Sequence, residues 1–213
     1  MIKICNIIKQ LFAFRLLIYE NFSIIIKIMY FLKDIQQRPI KKTDLQKILY
    51  WRNNKKIRNQ MLNNKLIKQK EHKIWFNNLS KNKTSEAFIF LFNNIDVGYG
   101  IINNIDKINK TCTWGMYLNP NYLNSGLGVL LEAYVIERIF KYHKIRKIWG
   151  ETLSVNKNIL NIHKKFGFNI EGILRKQIKT KNKYLDIVRI SMFANEWRKN
   201  KKKFLNNLKM KKN

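Results

Sequence analysis

The chain has 213 residues, 46% hydrophobic and 13% aromatic, enough for one domain with a buried core and incompatible with global disorder. Its formal charge of +30 calls for an anionic partner, but the lysines spread over the whole length among abundant Asn and Ile. That distribution reads as compositional bias, so no nucleic-acid surface is expected, while an anionic small molecule stays compatible. Two cysteines, Cys5 and Cys112, make no disulfide framework, and His72, His143 and His163 lack zinc-helix spacing. No metal is expected, and the cytoplasm is the expected compartment.

In chain order, residues 1–28 are apolar in short runs broken by Lys3, Lys9, Arg15, Glu20 and Lys27. No run approaches the roughly 20 residues that span a bilayer, and no small-residue cleavage site follows. Three readings stay open for this N-terminal extension: a helix packed on the domain, a surface anchor, or a segment upstream of a start at Met29. One domain over residues 29–197 and a basic tail over 198–213 are the expected organisation. A first strand is expected over 30–35. A helix follows, capped by Thr43 or Asp44 and carrying Leu45, Ile48, Leu49 and Arg52, with further helices over 57–62 and 70–79. Strands 87–92 and 97–102 flank a four-residue hairpin turn, and strand 111–118 ends at Asn119-Pro120. Residues 126–142 form the best amphipathic helix, striped by Leu127, Leu130, Leu131, Tyr134, Val135, Ile139 and Phe140. Strand 145–153 comes next, so it should lie parallel to 111–118. Helix 156–166, strands 168–178 and 184–193, and a Lys-rich frayed helix complete the chain.

The segment with chemical promise is Asn124-Ser125-Gly126-Leu127-Gly128, between a strand and the best helix. Glycines let a ligand approach the main chain, and amides at a helix start can hold a diphosphate. A plain turn before a helix explains two glycines equally well. Support comes from Asn156, which opens a helix, His163 seven residues later, and the closing Gly167-Phe168.

Over roughly residues 30 to 197 these two segments resemble the GNAT superfamily of N-acetyltransferases. The resemblance implies an α/β fold with a mixed, mostly antiparallel sheet, two splayed parallel central strands and flanking helices. It also implies acetyl-CoA as cosubstrate, its pantetheine arm along Met116, Tyr117 and Leu118. The diphosphate would lie on Asn124, Ser125, Gly126, Leu127 and Gly128, with Asn156 close by. Leu123 departs from the Arg or Gln common at that place. In this chemistry a neutral amine attacks the thioester directly, a base takes a proton and an acid protonates the thiolate. His163 falls where many relatives carry a tyrosine acid, and Glu151 where some carry a base. The competing readings are a packed histidine and a strand-end carboxylate paired with a lysine.

Tyr50-Trp51-Arg52-Asn53, Arg58, Met61, Glu71-His72 and Trp75-Phe76 further resemble acetyltransferases of the pseudaminic acid pathway, as do Trp114-Gly115-Met116-Tyr117 and Glu196-Trp197. That resemblance implies acetylation of the 4-amine of a UDP-linked 4-amino-4,6-dideoxy sugar, feeding flagellin glycosylation. Trp51 would stack on uracil, Arg52 would meet the pyrophosphate and Asn53 the sugar hydroxyls. Trp51 as a core aromatic is the alternative. A protein N-acetyltransferase of the ribosomal-protein type and a non-enzymatic basic nucleic-acid-binding module stand as competing functions. A homodimer is the assembly the resemblance suggests.

Overall fold

The computed structural model describes residues 34–180 and 183–209. Residues 1–28, with the three readings of the extension, lie outside the described residues, as does most of the expected strand over 30–35. The first strand, β1, is Ile35–Pro39, further along the chain. Helices α1 (Leu45–Asn53), α2 (Lys55–Arg58) and α3 (Gln69–Lys81) follow, then β2 (Glu86–Phe92), β3 (Ile95–Asp106) and β4 (Thr111–Leu118). Next come α4 (Leu127–Tyr142), β5 (Lys147–Leu153), α5 (Lys157–Phe166), β6 (Asn169–Lys179) and β7 (Tyr184–Phe193). The last helix, α6 (Ala194–Lys209), runs unbroken past residue 197 and buries Trp197 in the core.

All seven strands form one sheet in the order β1-β2-β3-β4-β5-β7-β6, antiparallel except for β4 with β5. β2 reads as an unbroken apolar run because both of its faces are covered. Phe88 and Phe90 enter the core beneath α4, while Ile89 points the other way against Ile48, Trp51 and Tyr99. The β2–β3 connection is tighter than the four residues expected. Phe92 pairs with Ile95, and Asn93 and Asn94 make the turn at φ 50° and 63°. Two consecutive left-handed residues match the strand twist, and asparagine tolerates that region. The Asn-Asn pair therefore replaces a looser loop.

The parallel strands touch only briefly. Thr111, Cys112 and Thr113 pair with Lys147, Ile148 and Trp149, and there the ladder stops. Beyond it β4 continues against β3 as far as Leu118, and β5 continues against β7 as far as Leu153. The two strands diverge, as expected for this fold. Trp114, the next residue of β4, stacks on Phe168 at 5.1 Å between ring centroids. Gly150, the next residue of β5, has no side chain in the way: a β-carbon there would lie 3.2 Å from the indole. Cys112 packs in the core, where burial pushes its thiol up to about 12, so it stays protonated and unreactive at neutral pH.

Asp44 precedes α1 but does not cap it with its side chain. Instead its carboxylate accepts from Arg38 Nη1 at 2.7 Å, Arg38 Nη2 at 2.9 Å, Lys47 Nζ at 2.9 Å and the Lys41 amide at 2.8 Å. Arg38 and Lys47 also reach Asp96 at the start of β3. The cluster ties β1, α1 and the β2–β3 hairpin together. Arg38 is the leading cause that holds the Asp44 carboxyl well below the usual carboxylate range.

Among the described residues, no helix is long and apolar enough to cross a membrane, and no group of three or more His, Cys, Asp or Glu could hold a metal. Asp44→Asn should lower stability by about 2–3 kcal/mol at neutral pH by stranding the buried Arg38 contact. Because the folded-state value of Asp44 is depressed, its contribution is complete above the ordinary carboxylate range. The advantage over the variant should persist at neutral pH and fade only below about pH 4, read from urea melts at each pH.

Candidate active site

Where the central strands part, a cleft of about 950 Å³ opens. Trp114 to Leu118 of β4 line one side, and Gly150, Glu151 and Thr152 of β5 the other. Past Thr113, the β4 main chain has no partner on its β5 side, so Met116, Tyr117 and Leu118 offer main-chain groups to a ligand. Tyr117 stacks on Tyr99 at 4.9 Å, and burial raises its phenol well above the usual range.

The start of α4 closes one end. An α-helix leaves its first four amides without intrahelical partners. Here the Leu127 amide donates to Ser125 Oγ at 3.2 Å and the Val129 amide to Gly126 O at 3.1 Å. Ser125 is itself fixed by donating from Oγ to Tyr122 O at 2.7 Å. The amides of Gly126 and Gly128 remain, and both glycines line the cleft with Asn124. Asn124 and Gly126 take φ 62° and 81°, a left-handed geometry that turns the chain into the helix. Ser125 and Leu127, read from the sequence as ligand contacts, do not line the cleft. Ser125 braces the loop and the Leu127 side chain is buried in the core.

Asn156 also lines the cleft, but its side-chain oxygen accepts from the Ile159 amide at 3.3 Å and caps α5. One turn from the far end of that helix, His163 is buried in the cleft wall. Its Nε2 lies 3.2 Å from Glu132 Oε1, and its Nδ1 is buried without a partner. Glu151 lines the cleft from β5, and its Oε1 accepts from Arg189 Nε at 3.0 Å and Nη2 at 2.5 Å. Its partner is thus an arginine of β7 rather than a lysine. Both bonds fall on Oε1, which leaves the lone pairs of Oε2 for a ligand.

The substrate-binding trio separates. Trp51 is 3% exposed inside the second core cluster and does not line the cleft, so stacking on a base is ruled out for it. Asn53 faces the loop before α3, where its side chain bonds both the amide and the carbonyl of Ile67 at 2.9 Å. Only Arg52 reaches the cleft. Nine residues of helix cannot aim three successive side chains in one direction, since each step turns the helix by about 100°. Arg52 Nη2 donates to Asn63 O at 2.5 Å, and Nη1 is buried without a partner among the described residues. Burial draws the Arg52 guanidinium below its usual value, the mark of a cation short of counter-charge.

Sequence reading missed Lys56, Asn63 and Glu132, all on the cleft wall. For Glu132 a signal existed: a carboxylate between Leu131 and Ala133, inside the apolar first half of the helix. Nothing in the local pattern marks Lys56 or Asn63.

The chain matches the family description "Acetyltransferase (GNAT) domain" over residues 35–169. It belongs to the GNAT acetyltransferases. The match spans β1 to the start of β6 and thus includes the divergent strands and the glycine loop. Acetyltransferase PseH of Campylobacter jejuni subsp. jejuni serotype O:23/36 (strain 81-176) is 25% identical over 127 residues, 60% of this chain and 78% of the relative. Among solved structures, spermidine N-acetyltransferase from Vibrio cholerae in complex with CoA and spermine superposes with a TM-score of 0.73 at 17% identity. It covers 78% of this chain and 99% of that one. A dodecameric structure of the Vibrio cholerae enzyme gives 0.66 at 16% identity, over 78% and 96% of the two chains. At these identities the likeness speaks for the GNAT fold. With the domain match, it makes this chain an acetyl-transferring enzyme.

A β-carbon at position 126 would force a non-glycine residue to φ 81°, straining the loop by roughly 1–2 kcal/mol. Gly126→Ala should therefore weaken CoA binding by about tenfold in calorimetry and lower the melting temperature by a few degrees.

Proposed function

We propose that this GNAT enzyme transfers an acetyl group from acetyl-CoA to the 4-amine of a UDP-linked 4-amino-4,6-dideoxy sugar. Such a step belongs to pseudaminic acid biosynthesis and flagellin glycosylation, and we assign it to the cytoplasm. The similarity to acetyltransferase PseH and the first-half resemblance support this acceptor. The observation that carries it is a pair of cations: Arg52 and Lys56 line the cleft together, apart from the paired carboxylates Glu132 and Glu151, and Arg52 Nη1 has no partner among the described residues. A nucleoside diphosphate satisfies both cations, whereas a polyamine would be repelled by them.

Acetyl-CoA supplies the activated acyl group. The Gly126 and Gly128 amides and the positive end of α4 suit its diphosphate, and the unpaired β4 edge at Met116–Leu118 suits its pantetheine amides. Held so, the neutral amine attacks the thioester carbonyl without an acyl-enzyme, and positioning alone is worth at most about 7–11 kcal/mol. Glu151 Oε2, directly or through a water, takes the proton the amine sheds. His163 gives a proton to the departing sulfur.

Thiol release should occur with a 4-amino UDP-sugar and not with spermidine or a peptide N-terminus. Acetylation confined to the peptide or the polyamine overturns the acceptor while leaving the family intact. Arg52→Gln should raise KM for the sugar nucleotide by about tenfold with kcat nearly unchanged. His163→Ala should lower kcat by about a hundredfold and leave CoA affinity unaltered.

A further inference from the structure

On its buried side α4 carries a carboxylate where its pattern calls for an aliphatic side chain. Glu132, between Leu131 and Ala133, is 3% exposed. A buried carboxylate is unfavourable unless hydrogen-bond donors surround it. Two are within reach of one oxygen: the Trp114 indole N–H donates to Oε1 at 3.0 Å, and His163 Nε2 lies 3.2 Å from the same atom. β4, α4 and α5 each contribute one of these residues, and all three line the cleft.

The hydrogen-bonding inventory sets the protons. Indole N–H is only a donor and an ionised carboxylate is only an acceptor. The nitrogen of His163 that faces Glu132 must then carry a hydrogen. Among the described residues Nδ1 has no partner, so no other polar contact there orients this ring. Aromatic contacts hold its plane: Trp114 meets it edge-on at 5.9 Å, and Phe168 lies 5.0 Å away. Trp114 and Phe168 are uncharged. Besides Glu132, the charged groups around His163 are Glu151 of β5, paired with Arg189 of β7, and the exposed Lys164 and Lys165 on its own helix.

We propose that Glu132 is a positioning residue: it accepts from His163 Nε2–H and fixes the ring, so that the proton His163 gives to the departing sulfur is the one on Nδ1. This rests on the reading of His163 as the acid. As the nitrogen–carbon bond forms and the carbon–sulfur bond breaks, the electron pair goes to sulfur and the Nδ1 proton of the imidazolium follows it, while Nε2 keeps its hydrogen on Glu132. The surplus proton of the new amide leaves through Glu151 or water, and the imidazole regains its own from solvent before the next turnover. A tyrosine at this place would need no such partner, because its hydroxyl is a donor in its ordinary form. The substitution of histidine for the family's usual residue and the unusual carboxylate on α4 thus explain each other.

The test compares the full chain with Glu132→Gln, His163→Tyr and the double variant, in kcat and in KM. Glutamine keeps an oxygen for the Trp114 N–H, so packing is preserved. Expected is a fall in kcat of about tenfold for E132Q with KM for acetyl-CoA changed less than about twofold. In the H163Y background the same E132Q change should cost less than about twofold in kcat. Equal losses in both backgrounds overturn the positioning role alone. A His163→Ala variant as fast as the unchanged chain overturns it together with the reading of His163 as acid. If E132Q fails to fold, Glu132→Asp, which keeps the charge but withdraws it from the imidazole, should give the same split between the two backgrounds.

Discussion

The functional architecture depends on one interruption in a hydrogen-bond ladder. β4 and β5 pair over three residues and then part, and the residue that follows the last pair on β4 is Trp114. Its ring stacks on Phe168, lies against the bare backbone of Gly150 and donates to Glu132. The ring thus covers the gap on one face of the sheet, at the point where the two strands stop pairing. Each strand answers by keeping its other neighbour, β3 or β7, so only the facing edges lose partners. Those edges are the cleft. Backbone groups that a sheet would ordinarily satisfy internally become its binding surface.

The helix that bridges the two strands does two further jobs. Its start is arranged so that the amides with local partners belong to Leu127 and Val129, while those of the glycines stay open. One turn further on, it delivers Glu132 beneath the cleft, beside Trp114 and His163. The open glycine amides and the Glu132–His163 pair, to which the proposed chemistry assigns the diphosphate and the proton, are therefore held at a fixed separation by one rigid element.

The acceptor side is built by different means. Helices α1 to α3 pack on the opposite face of the sheet edge through Ile48, Trp51, Ile89 and Tyr99, and the Arg38–Asp44–Lys47–Asp96 cluster locks their approach. Trp51 anchors this layer, and the next residue, Arg52, presents its guanidinium to the cleft. The general lysine excess says little about the substrate, whereas two cations on the cleft wall speak directly to its charge. Location, rather than the total of +30, gives the charge a meaning.

Much of this was written in the sequence because it is local. Hydrophobic periodicity marked the helix of residues 127–142, the strand–helix–strand order required a parallel pair, and Gly126 with Gly128 announced a backbone that a ligand can approach. Asn156 and Gly167 bounded α5 by cap chemistry that acts within a few residues. Only the tertiary structure separated Trp51 and Asn53 from Arg52, because a run of aromatic and polar residues on a helix does not say which of them faces the core. It alone brought Glu132 to His163, since a contact across 31 positions of chain depends on how three elements pack. The sequence determined the fold and the cradle through short-range rules, and packing decided which side chains meet the substrate.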